Sequence, residues 1–124
     1  MEFYRCKHCG NIIAYAENKG VKVICCGEAM EMLEPNTVEA SVEKHIPEVV
    51  INGNNVEVVV GSVLHPMTAE HNISWVAIET EQGNQRKKLA VDGEPRITFA
   101  LVDGDRVKRV FAYCNLHGLW KKDF

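Results

Sequence analysis

The sequence has no apolar run near the roughly 20 residues that a helix needs to cross a bilayer, so no membrane helix is expected. Its opening, Met1-Glu2-Phe3-Tyr4-Arg5-Cys6, lacks the basic start and apolar stretch of a secretory leader, and a cytoplasmic protein is the reading. Positive charge is not in surplus. Fourteen Lys and Arg face 17 Asp and Glu, a net charge of −3, which argues against a general nucleic-acid binder. An anionic substrate must then be drawn in by a local cation rather than by the field of the whole molecule. Low-complexity runs, internal repeats and helical periodicity of useful length are also missing. Against these absences stand five cysteines and five histidines in 124 residues. In a reducing compartment, clustered thiols read as metal ligands rather than disulfides.

The composition, 46% hydrophobic and 25% charged, is that of a globular protein, long enough for one domain plus a small appended one. Residues 1–36 form the first expected unit, which is too small to hold a fold without a staple. Cys6-Lys7-His8-Cys9-Gly10 places two thiols on a tight turn, with glycine where the backbone must bend. Short strands are expected at 11–16 and 21–24, joined by Glu17-Asn18-Lys19-Gly20. This hairpin would bring Cys25-Cys26-Gly27 back to the first pair across 15 intervening residues. Four thiols in so small a segment argue for a tetrahedral metal–sulfur site that supplies its folding energy. Adjacent cysteines should distort the tetrahedron, which suits a redox iron, although tetrahedral sulfur fits zinc equally.

Residues 31–35 read as a linker ending at Pro35, and residues 37–124 as the second domain, all-β throughout. Strands are expected at 37–42, 49–51, 56–60, 73–80, 85–91, 96–102 and 107–113, separated by Gly-, Asn- and Asp-rich turns that include Asn52-Gly53. Seven strands at this spacing predict a sandwich, with Trp75 in its core.

His45, His65 and His71 fall in the loops at strand ends, and Cys114-Asn115-Leu116-His117-Gly118 follows the last expected strand. His8, inside the first knuckle, is the bystander among the histidines. Four imidazoles and one thiolate exceed the four ligands of a closed zinc site. Five donors leave one position of an octahedron vacant, and a thiolate pushes electron density onto the metal. The set therefore suggests non-haem iron reacting with an oxygen species. Lys44, beside His45, is the local cation that the negative net charge calls for.

Together, Cys6-x-x-Cys9, Cys25-Cys26, Glu43-Lys44-His45, His65-Pro66-Met67, His71 and Cys114-x-x-His117-Gly118 resemble desulfoferrodoxin, the two-iron superoxide reductase family. The resemblance runs the length of the chain in order. It implies a small desulforedoxin-like domain holding iron on Cys6, Cys9, Cys25 and Cys26. It also implies an immunoglobulin-like β-sandwich holding ferrous iron with His45, His65, His71 and His117 equatorial and Cys114 axial. The reaction it implies is one-electron reduction of superoxide to hydrogen peroxide. Glu43 would be a sixth ligand to the oxidised iron, a rubredoxin-like protein the electron donor, and a homodimer the working form. The competing readings are a sealed electron carrier, a structural zinc protein with a binding sandwich, and a dismutase, which would release oxygen as a second product.

Overall fold

A computed structural model describes all 124 residues, which divide into two compact units, Met1–Glu34 and Pro35–Phe124. No helix is long and apolar enough to cross a membrane.

The first unit is built from five very short strands: β1 (Phe3–Arg5), β2 (Ile12–Ala14), β3 (Ile24–Cys25), β4 (Glu28–Ala29) and β5 (Glu31–Met32). They form a three-stranded antiparallel sheet in the order β2-β1-β5 and a separate β3-β4 hairpin. The expected pairing of 11–16 with 21–24 does not occur. β2 pairs instead with β1, which precedes it, because the Cys6–Cys9 knuckle is itself the turn between them. Residues 21–23 lie outside any strand, and Ile24 pairs with Ala29. The expected linker is also partly strand, since Glu31 and Met32 pair with Arg5 and Tyr4. Apolar burial is sparse here, with Phe3, Cys6 and Met30 the buried members.

The second unit holds one helical turn, α1 (Val42–His45), and seven strands: β6 (Pro47–Asn52), β7 (Asn55–Val60), β8 (Ile73–Thr80), β9 (Gly83–Lys88), β10 (Arg96–Ala100), β11 (Val107–Cys114) and β12 (Gly118–Asp123). Two antiparallel sheets result, β10-β7-β6 and β12-β11-β8-β9. Strand alternation places Val56, Val58 and Val60 of β7 and Phe99 of β10 on one inner face. Val76 and Ile78 of β8 and Val110, Ala112 and Cys114 of β11 belong to the same cluster, so the core is the sandwich filling. The Asn-Gly hairpin stands as expected, with Asn52 opposite Asn55 and Gly53 at positive φ.

Two expectations for this unit are corrected. Residues 37–42 form no strand, and Val42 begins α1 instead. The turn ends at Ile46, held extended (φ −69°, ψ 124°) before Pro47. The seventh strand is β12, which alternation missed because Leu119 and Trp120 are both buried and break the period of two.

Candidate metal centres

Both donor sets expected from the sequence come together: Cys6, Cys9, Cys25 and Cys26 in one group, and His45, His65, His71, Cys114 and His117 in another. Within each group all ligand atoms lie within 4.8 Å of one another.

In the first group, Cys6 and Cys9 sit on the knuckle closed by the Gly10 amide donating to the Cys6 carbonyl at 2.9 Å. The adjacent cysteines are separated by conformation. Cys25 ends β3, whereas Cys26 (φ 53°) and Gly27 (φ 78°) are both left-handed, a two-residue turn that leads into β4. The left-handed Cys26 lets neighbouring thiols diverge, which answers the crowding expected of a vicinal pair. Cys9 Sγ and Cys25 Sγ stand 3.6 Å apart. Four sulfurs about 2.3 Å from one ion would lie roughly 3.8 Å from each other, so the set fits a tetrahedral metal. The Cys9 amide, 3.5 Å from Cys6 Sγ, favours the thiolate and holds that pKa down at about 6. The neighbouring thiols of Cys9, Cys6 and Cys25 push Cys26 up to about 12, as expected when several sulfurs compete for one negative charge without a cation. His8 lies outside the group and pairs with Glu28 at 3.0 Å on the surface.

In the second group the four imidazoles close a ring in the order His45, His65, His71, His117. Neighbouring centroids are 4.7, 4.6, 5.1 and 5.0 Å apart, each pair edge to face. His45 comes from α1, His65 from the loop after β7 and His71 from the loop before β8. Cys114 and His117 come from the β11–β12 hairpin, where Cys114 pairs with Gly118 (φ 79°) across a three-residue turn. A glycine at that left-handed position closes such turns without strain. The Cys-x-x-His-Gly motif is thus a hairpin loop.

Two rings have their tautomers fixed. His45 Nδ1–H donates to the Ser41 carbonyl and His65 Nδ1–H to the Pro66 carbonyl, each at 2.7 Å. A carbonyl only accepts, so the proton belongs on Nδ1 and each Nε2 presents a lone pair inward. Those two Nε2 atoms are 3.2 Å apart, and His45 Nε2 is also 3.2 Å from His117 Nδ1. His71 Nε2 is buried without a hydrogen-bond partner. Converging lone pairs and an orphaned buried nitrogen are what a cation resolves. Nitrogens about 2.1 Å from a shared ion would lie roughly 3 Å from their neighbours, in accord with these spacings. Burial lowers the pKa of His65 to about 4 and lowers those of His45 and His71, which keeps the rings neutral and able to ligate. Burial pushes the Cys114 thiol up, opposed by hydrogen bonds from the Leu116 and His117 amides.

Glu43 and Lys44 are exposed on α1, two residues and one residue before the buried His45. The Lys44 charge is close enough to disfavour protonation of His45 and His71. Glu43 Oε1 lies 3.5 Å from Ser41 Oγ. The Glu43 carbonyl accepts from the Val63 amide (3.0 Å) and Ser62 Oγ (3.2 Å), fastening this turn to the loop that carries His65. Gly61 permits that approach. A Cβ there would lie 2.5 Å from the Glu43 carbonyl oxygen and 2.9 Å from that of Ile46.

Sequence reasoning did not single out Gly61, Ser41 or Trp120. Trp120 stacks on His45 (4.8 Å, 28°) and donates to the His117 carbonyl at 3.1 Å, so one indole supports two rings of the site. Its signal was its place two residues after the Cys-x-x-His-Gly motif, on the strand that alternation missed.

Family profiles described as "Desulfoferrodoxin" and "Desulfoferrodoxin, N-terminal domain" match residues 37–123 and 1–33. The chain belongs to the desulfoferrodoxin family. A desulfoferrodoxin homolog of Archaeoglobus fulgidus is 40% identical over 121 residues, 98% of this chain and 95% of that one. The desulfoferrodoxin of Nitratidesulfovibrio vulgaris is 37% identical over 122 residues, 98% and 95% of the two chains. Among solved structures, the superoxide reductase from Treponema pallidum superposes with a TM-score of 0.84 at 42% identity, covering 98% of each chain. A superoxide reductase from Giardia intestinalis superposes with a TM-score of 0.56 at 34% identity, covering 66% of this chain and 97% of that one. The two donor sets accord with the two iron sites of desulfoferrodoxins.

Proposed function

We propose that this chain is a superoxide reductase, combining one superoxide, one electron and two protons to release one hydrogen peroxide. The observation that carries the reading is the ring of four imidazoles with the Cys114 sulfur beside it, five convergent donors where a closed structural site needs four. Residues 1–36 would hold one iron on Cys6, Cys9, Cys25 and Cys26. Residues 37–124 would hold the other on His45, His65, His71, His117 and Cys114. Ferrous iron held by these five donors would supply the electron.

The chain's own residues do the rest. The carbonyls of Ser41 and Pro66 hold Nδ1 protons on His45 and His65, so each ring is turned with Nε2 inward, while burial keeps both neutral. Amides directed at Cys114 temper the basicity of its thiolate. Lys44, exposed on the turn beside the rings, attracts the superoxide anion against the net negative charge and holds the water that protonates the departing peroxide. Glu43, its neighbour, is the carboxylate that would close the open position of the oxidised iron. A rubredoxin-like protein supplies electrons, with the four-cysteine iron as a relay, in keeping with the family resemblance. A homodimer is supported by the apolar side chains of Val21, Ile24 and Met32, exposed on the first unit. Five free thiols, four of them offered to one ion, suit the cytoplasm.

The test is to consume a known pulse of superoxide and measure peroxide and oxygen together. One peroxide per superoxide with no oxygen is expected. Oxygen as a second product would make the chain a dismutase, and unaltered superoxide decay would leave a sealed carrier. Lys44→Ile should slow the second-order reaction by about tenfold or more and flatten its dependence on salt. An unchanged salt dependence removes Lys44 from the steering role.

A further inference from the structure

His71 differs from the other rings in how it is held. His45 and His65 are locked by ring-to-carbonyl hydrogen bonds, and His117 lies within the tight β11–β12 turn. The His71 ring has no such bond, and its Nε2 is the orphaned buried nitrogen of the site. It sits on the loop between β7 and β8, so its aim depends on how that loop is fixed. Within the loop, Thr68 Oγ1 accepts from the His71 amide (3.0 Å) and the Thr68 amide donates to the His71 carbonyl (2.9 Å). Asn72 Nδ2 donates to the Thr68 carbonyl at 2.9 Å. These bonds stiffen the loop but do not tie it to the other ligands.

Asn115 makes that tie. Its Nδ2 donates to the Glu70 carbonyl (2.9 Å), and its Oδ1 accepts from the Asn72 amide (2.9 Å). The two bonds straddle His71, one on the residue before it and one on the residue after. The Asn115 amide adds a third, to the Asn72 carbonyl at 3.2 Å. Asn115 directly follows Cys114 and lies two residues before His117. A carboxamide is the side-chain group that offers a donor and an acceptor side by side, which this grip requires.

We propose that Asn115 is the positioning residue for His71, gripping the peptides on both sides of it and so setting the distance of this imidazole from Cys114 and His117. The inference rests on the reading of His71 as a ligand of the second iron. Outer residues that orient a ligand typically alter metal affinity by about 10–100-fold when removed.

The test uses the full chain, with the iron of the four-cysteine site counted separately as an internal reference. Asn115→Ala should weaken ferrous-iron binding at the second site by about tenfold. It should also shift the visible absorption of the oxidised second site while leaving the four-cysteine bands in place. In the metal-free chain the Asn72 amide should exchange faster with solvent, because its acceptor is gone. Asn54→Ala is the matched control, since Asn54 bonds Asp103 across two turns elsewhere in the sandwich. If Asn115→Ala matches Asn54→Ala in iron affinity, spectrum and exchange, Asn115 only stabilises the fold and the proposal is overturned. Should Asn115→Ala fail to fold, Asn115→Asp keeps the acceptor for the Asn72 amide and loses the donor to Glu70. Binding as tight as wild type in that variant overturns the two-sided grip, and weaker binding supports it. His71→Ala separates the two levels. If it leaves the second site unaltered, the ligand reading itself fails. If it weakens the site while Asn115→Ala does not, only the positioning role falls.

Discussion

The two units of this chain solve opposite problems with the same kind of part. In the first, five strands of two or three residues leave only Phe3, Cys6 and Met30 buried as apolar side chains. Its four sulfurs are therefore structure as much as site, and an ion on them must supply folding free energy. In the second, two sheets bury a continuous core from Val56 to Cys114, and the donors are hung on turns and loops at strand ends. There the fold prepares the site, and an ion relieves a cluster of rings already in place. A ligand set says what an ion can do, but the surrounding core decides whether the ion builds the protein or the protein builds the place for the ion.

Stripping both metals should break this comparison most visibly. A metal on structural thiolates contributes about 10–16 kcal/mol of apparent binding free energy. Metal-free chain should lose amide protection in Phe3–Arg5 and Ile12–Ala14 while keeping it in Val107–Cys114. Protection that survives in both units would show that the first folds unaided. Phe99→Ala, at a fully buried position, should lower the stability of the sandwich by about 3–5 kcal/mol in urea unfolding, with the four-cysteine absorption unaltered at low urea. Coincident loss of that absorption would mean that the units unfold together.

The smallest effect is a pH dependence confined to the sandwich. His65 has its pKa lowered to about 4 by burial, whereas an unfolded histidine titrates near 6.5. Between those values the unfolded chain binds the extra proton. The contribution is therefore complete above pH 6.5 and lost as pH falls through 4. For His65 it is at most about 3 kcal/mol, and His45 and His71 act in the same direction. Urea unfolding of the metal-free chain should show it, and His65→Gln should flatten it. Equal stability at pH 7 and 4.5 would contradict the burial of these rings.

Much of the site was legible because cysteine and histidine carry their chemistry in their names, and because Gly10, Gly27 and Gly118 mark turns beside them. The Asn-Gly hairpin and the long strands were legible through turn chemistry and alternation. What escaped has a common cause: neither alternation nor ordinary turn residues mark it. The pairing of β1 with β2 rather than 11–16 with 21–24 was hidden because a metal knuckle replaces the usual turn residues. β12 was hidden because Leu119 and Trp120 are both covered. Gly61 is a glycine by virtue of the Glu43 and Ile46 carbonyls lying against it, which no local pattern encodes.

The closing of the imidazole ring by His45 and His117, 72 positions apart, has a consequence for timing. Closing loops so remote costs chain entropy that the pairing of the strands between them offsets, so an ion is a poor template for this pocket. Capture by a sandwich already assembled is the expected order. The knuckle from Cys6 to Cys9 needs no such wait and can recruit its ion while the small unit is still a coil. One polypeptide is therefore expected to take up its two metals on different schedules, the first as a participant in folding and the second after it.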